Sequence, residues 1–119
     1  MVEVIVTDEF KAWYEDLSEG HQESVFHVVG LLEGRGTTLG FPYSSDLKGT
    51  KQALRELRVK AQGAQIRVAY AFDPERNAVL LLGGDKTGDD RFYEWLIPAA
   101  EKIWVQYLAE RDTAKRGGT

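Results

Sequence analysis

Residues 54–82, LRELRVKAQGAQIRVAYAFDPERNAVLLL, decide the fold. Leu54 to Lys60 alternates apolar with polar, and Gln65 to Phe72 does the same. A period of two belongs to strands with one face buried. Gln62-Gly63-Ala64 supplies the turn between them, and Asp73-Pro74-Glu75-Arg76-Asn77 supplies the next. Ala78 to Leu82 is apolar throughout, which predicts a central strand covered on both faces.

Toward the start, Val2 to Val6 is short and β-branched and reads as a further strand. Thr7 or Asp8 can then cap a helix carrying Phe10, Trp13, Tyr14 and Leu17 at helical spacing. Ser18-Glu19-Gly20 interrupts, and Val25, Val28, Val29 and Leu32 continue a second helix that stops at Gly34-Arg35-Gly36. Gly34 to Gly49, with Phe41-Pro42 inside it, reads as a long loop. Toward the end, Asp89-Asp90 can cap a last helix with the stripe Phe92, Trp95, Leu96, Ala99, Ala100, Ile103, Trp104, Tyr107 and Leu108. Pro98 inside it predicts a kink or a fresh start near Ile97. The order is β-α-α-β-β-β-α, an α+β domain spanning residues 1–119, with about 112–119 as a mobile tail. Its expected form is a mainly antiparallel sheet with helices packed on one face.

Composition narrows the chemistry. The chain has no cysteine, which excludes disulfides, thiolate metal sites and a cysteine nucleophile. Two histidines alone make a structural zinc site a poor reading, and no metal is expected. No run reaches the ~18 apolar residues of a membrane span. The first residues carry no basic segment of a secretory signal, so a cytoplasmic setting is expected. The net charge of −4 argues against nucleic acid until its distribution is read. Ser44 to Arg67 holds six bases and two acids, whereas Met1 to Glu33 holds one base and eight acids. An acidic start adjoins a basic middle.

Alternation assigns faces. Leu57 and Val59 form one set, with Arg55 at its outer end, and Glu56, Arg58 and Lys60 form the other. Ile66, Val68, Tyr70 and Phe72 oppose Arg67, Ala69 and Ala71. With the apolar sets turned to the helices, Glu56, Arg58, Lys60 and Arg67 share an open face, hollowed by Ala69 and Ala71. Gly83-Gly84 permits close approach of a backbone or a ligand, and Lys86 follows at the strand end. Cations that bind a phosphate beside a carboxylate that accepts a proton suit phosphodiester chemistry. The plainer account is a salt-bridged sheet face of little functional value.

Other residues carry less. His21 and His27 are six apart on one helix and read as surface or half-buried side chains. The segment Gly83 to Gly88 lacks the spacing of a nucleotide-binding loop. Trp13, Tyr14, Trp95 and Trp104 read as core or interface aromatics.

Leu47-Lys48-Gly49, Leu54-Arg55-Glu56-Leu57-Arg58-Val59, Ile66-Arg67-Val68-Ala69-Tyr70, Leu81-Leu82-Gly83-Gly84-Asp85-Lys86, and Arg91-Phe92-Tyr93 through Pro98-Ala99 to Tyr107-Leu108 together resemble the phage-derived, HigB-like branch of the RelE/ParE toxins. The resemblance implies a RelE-like fold and the toxin of a type II toxin–antitoxin system. It implies a ribosome-dependent endoribonuclease, an mRNA interferase, that cuts by attack of a ribose 2′-hydroxyl on the adjacent phosphate without metal or cofactor. The implied partners are mRNA, the ribosome and a cognate antitoxin, commonly of helix-turn-helix type. By position, Arg58 and Arg67 resemble the arginines that hold the phosphate, Lys86 the basic residue after the last strand, and Glu56 the carboxylate base. Tyr93 stands in for the general acid, and Lys48, Lys51, Arg55, Lys60 and Arg91 for cations along the RNA backbone. The chain departs from the pattern in being acidic, in lacking a histidine after His27, and in its long apolar last helix, an element able to cover part of the site. The rival expectations are a ParE-like toxin that binds DNA gyrase without cleaving anything, and a catalytically decayed binder on the same fold.

Overall fold

A computed structural model describes residues 2–117, with side chains to residue 114. The elements are β1 (Val4–Val6), α1 (Asp8–Glu15), α2 (Glu19–Arg35), β2 (Ser44–Asp46), β3 (Arg55–Ala61), β4 (Ala64–Phe72), β5 (Ala78–Asp85) and α3 (Phe92–Gly117), with one 3-10 turn at Gly36–Thr38. Residues 112–117, expected within the tail, continue α3, while 118 and 119 lie outside the described residues. No helix among the described residues is long and apolar enough to cross a membrane.

The strands form a sheet in the order β1-β5-β4-β3-β2. β1 runs parallel to β5, and the other pairings are antiparallel. Thr7 caps α1 by accepting from Phe10 N at 3.2 Å, and its hydroxyl also lies 2.9 and 2.8 Å from the Leu80 and Leu81 carbonyls. One threonine therefore starts the helix and moors it to the central strand. Ser18 caps α2 through His21 N. The short strand β2 went unread within the expected Gly34–Gly49 loop: at three residues, Ser-Ser-Asp, it has no apolar alternation to detect.

The helices do not share one face, which corrects the two-layer expectation. α1 and α2 cover Leu57, Val59, Ile66, Val68, Tyr70 and Leu80 with Phe10, Val25, Val28 and Leu32. α3 covers the opposite side, packing Phe92, Leu96, Ala100 and Trp104 on Ala69, Ala71, Val79 and Leu81. The physical reason lies in β4 and β5. The small side chains of Ala69 and Ala71 form an apolar bed with Val79 and Leu81, and α3 has an apolar stripe that needs one. Burying each large side chain contributes roughly 1.5–3 kcal/mol. The hollow expected to stand open between charged residues is thus filled along much of its length by α3.

Gly83 and Gly84 serve this sandwich rather than a ligand. A Cβ on Gly83 would lie 2.5 Å from the Trp13 ring, and one on Gly84 would lie 2.7 Å from Trp95 and 2.8 Å from Phe92. The two glycines admit an indole on each side of β5. α3 runs without a break through Pro98, so of the kink or fresh start expected near Ile97 the fresh start does not occur. Pro98 and Glu94, whose carbonyl loses its usual N–H partner, are both exposed, so the gap in the helix hydrogen bonding lies on the solvent side of α3. Farther along α3, the Tyr107 hydroxyl donates to Asp73 Oδ2 at 2.9 Å. Asp73 also accepts from Asn77 N and Glu75 N, each at 2.9 Å, which ties α3 to the β4–β5 turn.

Candidate functional site

The register of β3 and β4 builds the site. Arg58 pairs with Arg67, and Glu56 with Ala69, so the three charged side chains leave the sheet on one side. That side is also α3's, and the first turn of the helix ends the cluster. Asp89 Oδ1 accepts from Arg91 N at 3.0 Å and Oδ2 from Trp95 Nε1 at 3.1 Å, fixing the start of α3. Tyr93, on that turn, donates its hydroxyl to Glu56 Oε1 at 2.7 Å.

Glu56 is the hub. Its other oxygen, Oε2, accepts from Ser45 Oγ at 3.1 Å and from Arg58 Nη1 at 3.3 Å. Arg67 Nε lies 3.8 Å from Oε1, an ion pair without a hydrogen bond. Glu56 is 5% exposed and Arg67 4%. Arg67 Nη1 donates to Ile66 O at 3.0 Å, and its Nε is the one buried side-chain nitrogen or oxygen among the described residues with no hydrogen-bond partner. An unmet buried donor of this kind costs about 1–3 kcal/mol. A hydrogen-bond acceptor entering the site would recover it.

Lys86 follows β5, its backbone N–H held by Gln65 O at 2.8 Å, and its ammonium lies over the Tyr93 ring at 5.6 Å. Burial and the bond to the Glu56 carboxylate hold the Tyr93 hydroxyl above its ordinary range, with Arg67 pulling the other way. Tyr93 therefore keeps its proton at neutral pH. Glu56, Arg58, Arg67, Lys86 and Tyr93 do meet at one place.

The remaining sequence-derived residues divide. Lys60 borders, with Arg58 and Arg67, a cavity of about 720 Å³ along β3 beyond the end of β2. Lys48 and Lys51 are exposed on the β2–β3 loop, which Thr50 moors to α3 through Glu101 at 2.7 Å. Arg91 is exposed and 4.0 Å from Glu94. Arg55 is not part of the group. It projects on the α1–α2 side and is bound to Asp46, Ser44 Oγ and Tyr70 Oη. Its guanidinium completes a buried polar knot, since Ser44 Oγ and Tyr70 Oη are 2.5 Å apart.

Sequence reasoning missed three contributors. Ser45 lies in the strand that went unread. His27, expected to be a surface or half-buried side chain, is exposed and borders the same cavity as Arg58, Lys60 and Arg67, and so does Phe41. Only the folding of α2 and the 39–43 loop toward β3 brings them there.

The model of the phage-derived Gp49-like proteins (DUF891) matches residues 12–105. The chain belongs to that family. Within it, the chain is similar to two proteins of Mycobacterium tuberculosis (strain ATCC 25618 / H37Rv) that bear toxin names. It is 39% identical to HigB3 over 108 residues, covering 89% of this chain and 93% of HigB3. It is 32% identical to HigB2 over 111 residues, covering 91% of this chain but only 55% of HigB2. The family is thus the HigB-like one. The toxin–antitoxin complex RelBE2 from Mycobacterium tuberculosis contains a chain of the same fold, with a TM-score of 0.55 and 17% identity over 71% of this chain and 96% of that one. The α+β class and the RelE-like architecture expected from the sequence are those of this Gp49-like chain.

Proposed function

We propose that this Gp49-like protein is the toxin of a type II toxin–antitoxin pair and that it cuts messenger RNA on the ribosome as a metal-independent endoribonuclease. Membership of the HigB-like family supports the first part. The observation that carries the second is the buried Arg67, with an unpartnered Nε–H, set against Glu56, Arg58 and Tyr93. A phosphodiester oxygen is the acceptor such a donor suits.

In the proposed reaction, Arg67, Arg58 and Lys86 hold the scissile phosphate and stabilise the charge that grows on it. The ribose 2′-oxygen bonds to phosphorus, and the bond from phosphorus to the 5′-oxygen of the next nucleotide breaks. Glu56 takes the 2′-hydroxyl proton, and Tyr93 gives its proton to the departing 5′-oxygen. The products are a 2′,3′-cyclic phosphate and a 5′-hydroxyl. Return of the proton from Glu56 to Tyr93, along the contact that measures 2.7 Å at rest, restores both groups. Because Glu56 is shielded at rest, the first turn of α3 must yield as RNA enters. The cognate partner is an antitoxin that holds this toxin inactive, as the RelBE2 assembly pairs a toxin with an antitoxin.

The test is induced expression of wild type and of Arg67→Ala in bacteria, with mapping of mRNA 5′ ends. Growth arrest with cuts inside coding regions, both lost in the variant, is the expected result. Arrest with DNA damage and intact transcripts would instead identify a gyrase poison. Undiminished cutting by both Arg58→Ala and Arg67→Ala would move the chemistry elsewhere.

A further inference from the structure

Phe41 is 78% exposed, the most exposed large apolar side chain among the described residues. A single exposed ring is common at protein surfaces, and it is the company this one keeps that sets it apart. It is held by one visible contact of note: the Arg58 guanidinium sits 5.5 Å from its centroid. Arg58 also binds Glu56 Oε2 at 3.3 Å, so one side chain links the carboxylate hub to the exposed ring. Phe41 borders the 720 Å³ cavity together with Pro42, Tyr43, His27, Arg58, Lys60 and Arg67. Three cations and three aromatic rings meet there, with Glu23 as the one acid on its wall.

We propose that Phe41 is a base-stacking platform, receiving the base of a nucleotide whose phosphate is held by Arg58 and Lys60. The proposal rests on the ribonuclease reading and extends it, from where the bond breaks to how the single strand is held. An unpaired base offers a flat π-face and an attached anion. The pairing of an exposed ring with adjacent guanidinium and ammonium groups meets both needs. A protein partner would answer the ring but would need acidic groups for the cations. Three cations against one acid on this wall accord with a polyanion, whose charge is regularly repeated along its backbone. Because stacking is blind to base identity, this platform adds affinity and orientation rather than a strict sequence preference.

The experiment measures binding of a fluorescein-labelled, mixed-sequence octanucleotide of 2′-O-methyl residues, which cannot be cleaved. Wild type, Phe41→Ala, Phe41→Leu, Phe41→Trp and Arg58→Ala are titrated at several salt concentrations. Phe41→Ala and Phe41→Leu should weaken binding by roughly tenfold to a hundredfold with the salt slope unchanged. Phe41→Trp should bind at least as tightly as wild type. Arg58→Ala should weaken binding and flatten the salt slope by about one unit. Equal binding by Phe41→Ala and wild type, or full rescue by leucine, overturns the platform, as does failure of wild type to bind the strand. Cleavage mapping in cells separates this from the underlying reading. Wild-type cutting with Phe41→Ala cutting equally well ends the platform alone, whereas absence of wild-type cutting ends the ribonuclease reading. Loss of antitoxin neutralisation in Phe41→Ala, with RNA binding intact, would reassign the ring to the protein partner.

Discussion

Tyr93 and Glu56, 37 residues apart in the chain, share a 2.7 Å hydrogen bond that joins the first turn of α3 to the start of β3. The bond orients a phenol that keeps its proton and closes one side of a carboxylate surrounded by arginines. It makes the position of a helix a condition for the geometry of a site on a sheet.

Removing that hydroxyl tests its assignment. Tyr93→Phe preserves the ring under Lys86 and deletes the proton donor. Cleavage should fall by roughly 10²–10⁴. Folding stability should fall by only about 1 kcal/mol, the net worth of one hydrogen bond. Thermal melting alongside 5′-end mapping separates the two effects, and a stable Tyr93→Phe with wild-type cutting would free Tyr93 of the role.

Arg67 offers a test of shape at constant charge. Arg67→Lys retains a cation near Glu56 but loses the planar fork and the Nε–H that lacks a partner at rest. Turnover should drop by about 10²–10³, the usual cost of losing one preorganised donor to a developing negative charge. The far-ultraviolet circular dichroism spectrum should stay as in wild type. Turnover unchanged in this variant would mean that charge alone is needed there.

Two glycines, Gly84 against the Trp95 indole and Gly30 on an open face of α2, predict opposite outcomes. Gly84→Ala places a methyl 2.7 Å from Trp95 and 2.8 Å from Phe92, displacing the start of α3. It should cost about 1–3 kcal/mol in urea unfolding. Gly30, inside α2, is exposed with nothing near its missing Cβ. Gly30→Ala should gain about 0.5–1 kcal/mol through helix propensity. Equal stability in the two variants would contradict the packing described for β5.

The Asp73–Tyr107 contact makes stability depend on pH at both extremes. Burial opposes ionisation of Asp73, but hydrogen bonds from Asn77, Tyr107 and Glu75 outweigh it and hold the carboxyl below its ordinary 3.8. Its contribution is full above that ordinary value and is lost as pH falls through the lowered one. Burial and the Asp73 carboxylate push Tyr107 up from its ordinary 10 to about 12. That contribution is full below the ordinary value and disappears as pH climbs toward the raised one. Asp73→Asn should flatten the acid limb of a stability–pH profile, and Tyr107→Phe the alkaline limb. Melting temperatures across pH measure both.

Much of the candidate site was legible because side-chain direction in a strand follows from position parity. Glu56, Arg58 and Arg67 could be placed on one face before any coordinates, and the register pairing Arg58 with Arg67 agrees. Lys86 was legible as the residue delivered at a strand end. Parity likewise set Arg55 apart with Leu57 and Val59, although the RNA-contact expectation ignored it. Phe41 and His27 were not legible as neighbours of that site. Their approach to β3 depends on how a loop and a helix pack, and local pattern carries no information about that.

The sequence by itself determined the strands other than β2, the turns between β3, β4 and β5, and which side chains travel together, because these depend on neighbours one to four residues away. The tertiary structure decided which face each helix takes. The uninterrupted apolar run of β5 already required cover on both sides, yet only three-dimensional packing shows that α3 supplies the second layer. Burial is shared among elements distant in the chain, so α3 lies where its stripe meets Ala69, Ala71, Val79 and Leu81. The depth of Glu56 and the reach of Tyr93 follow from that placement.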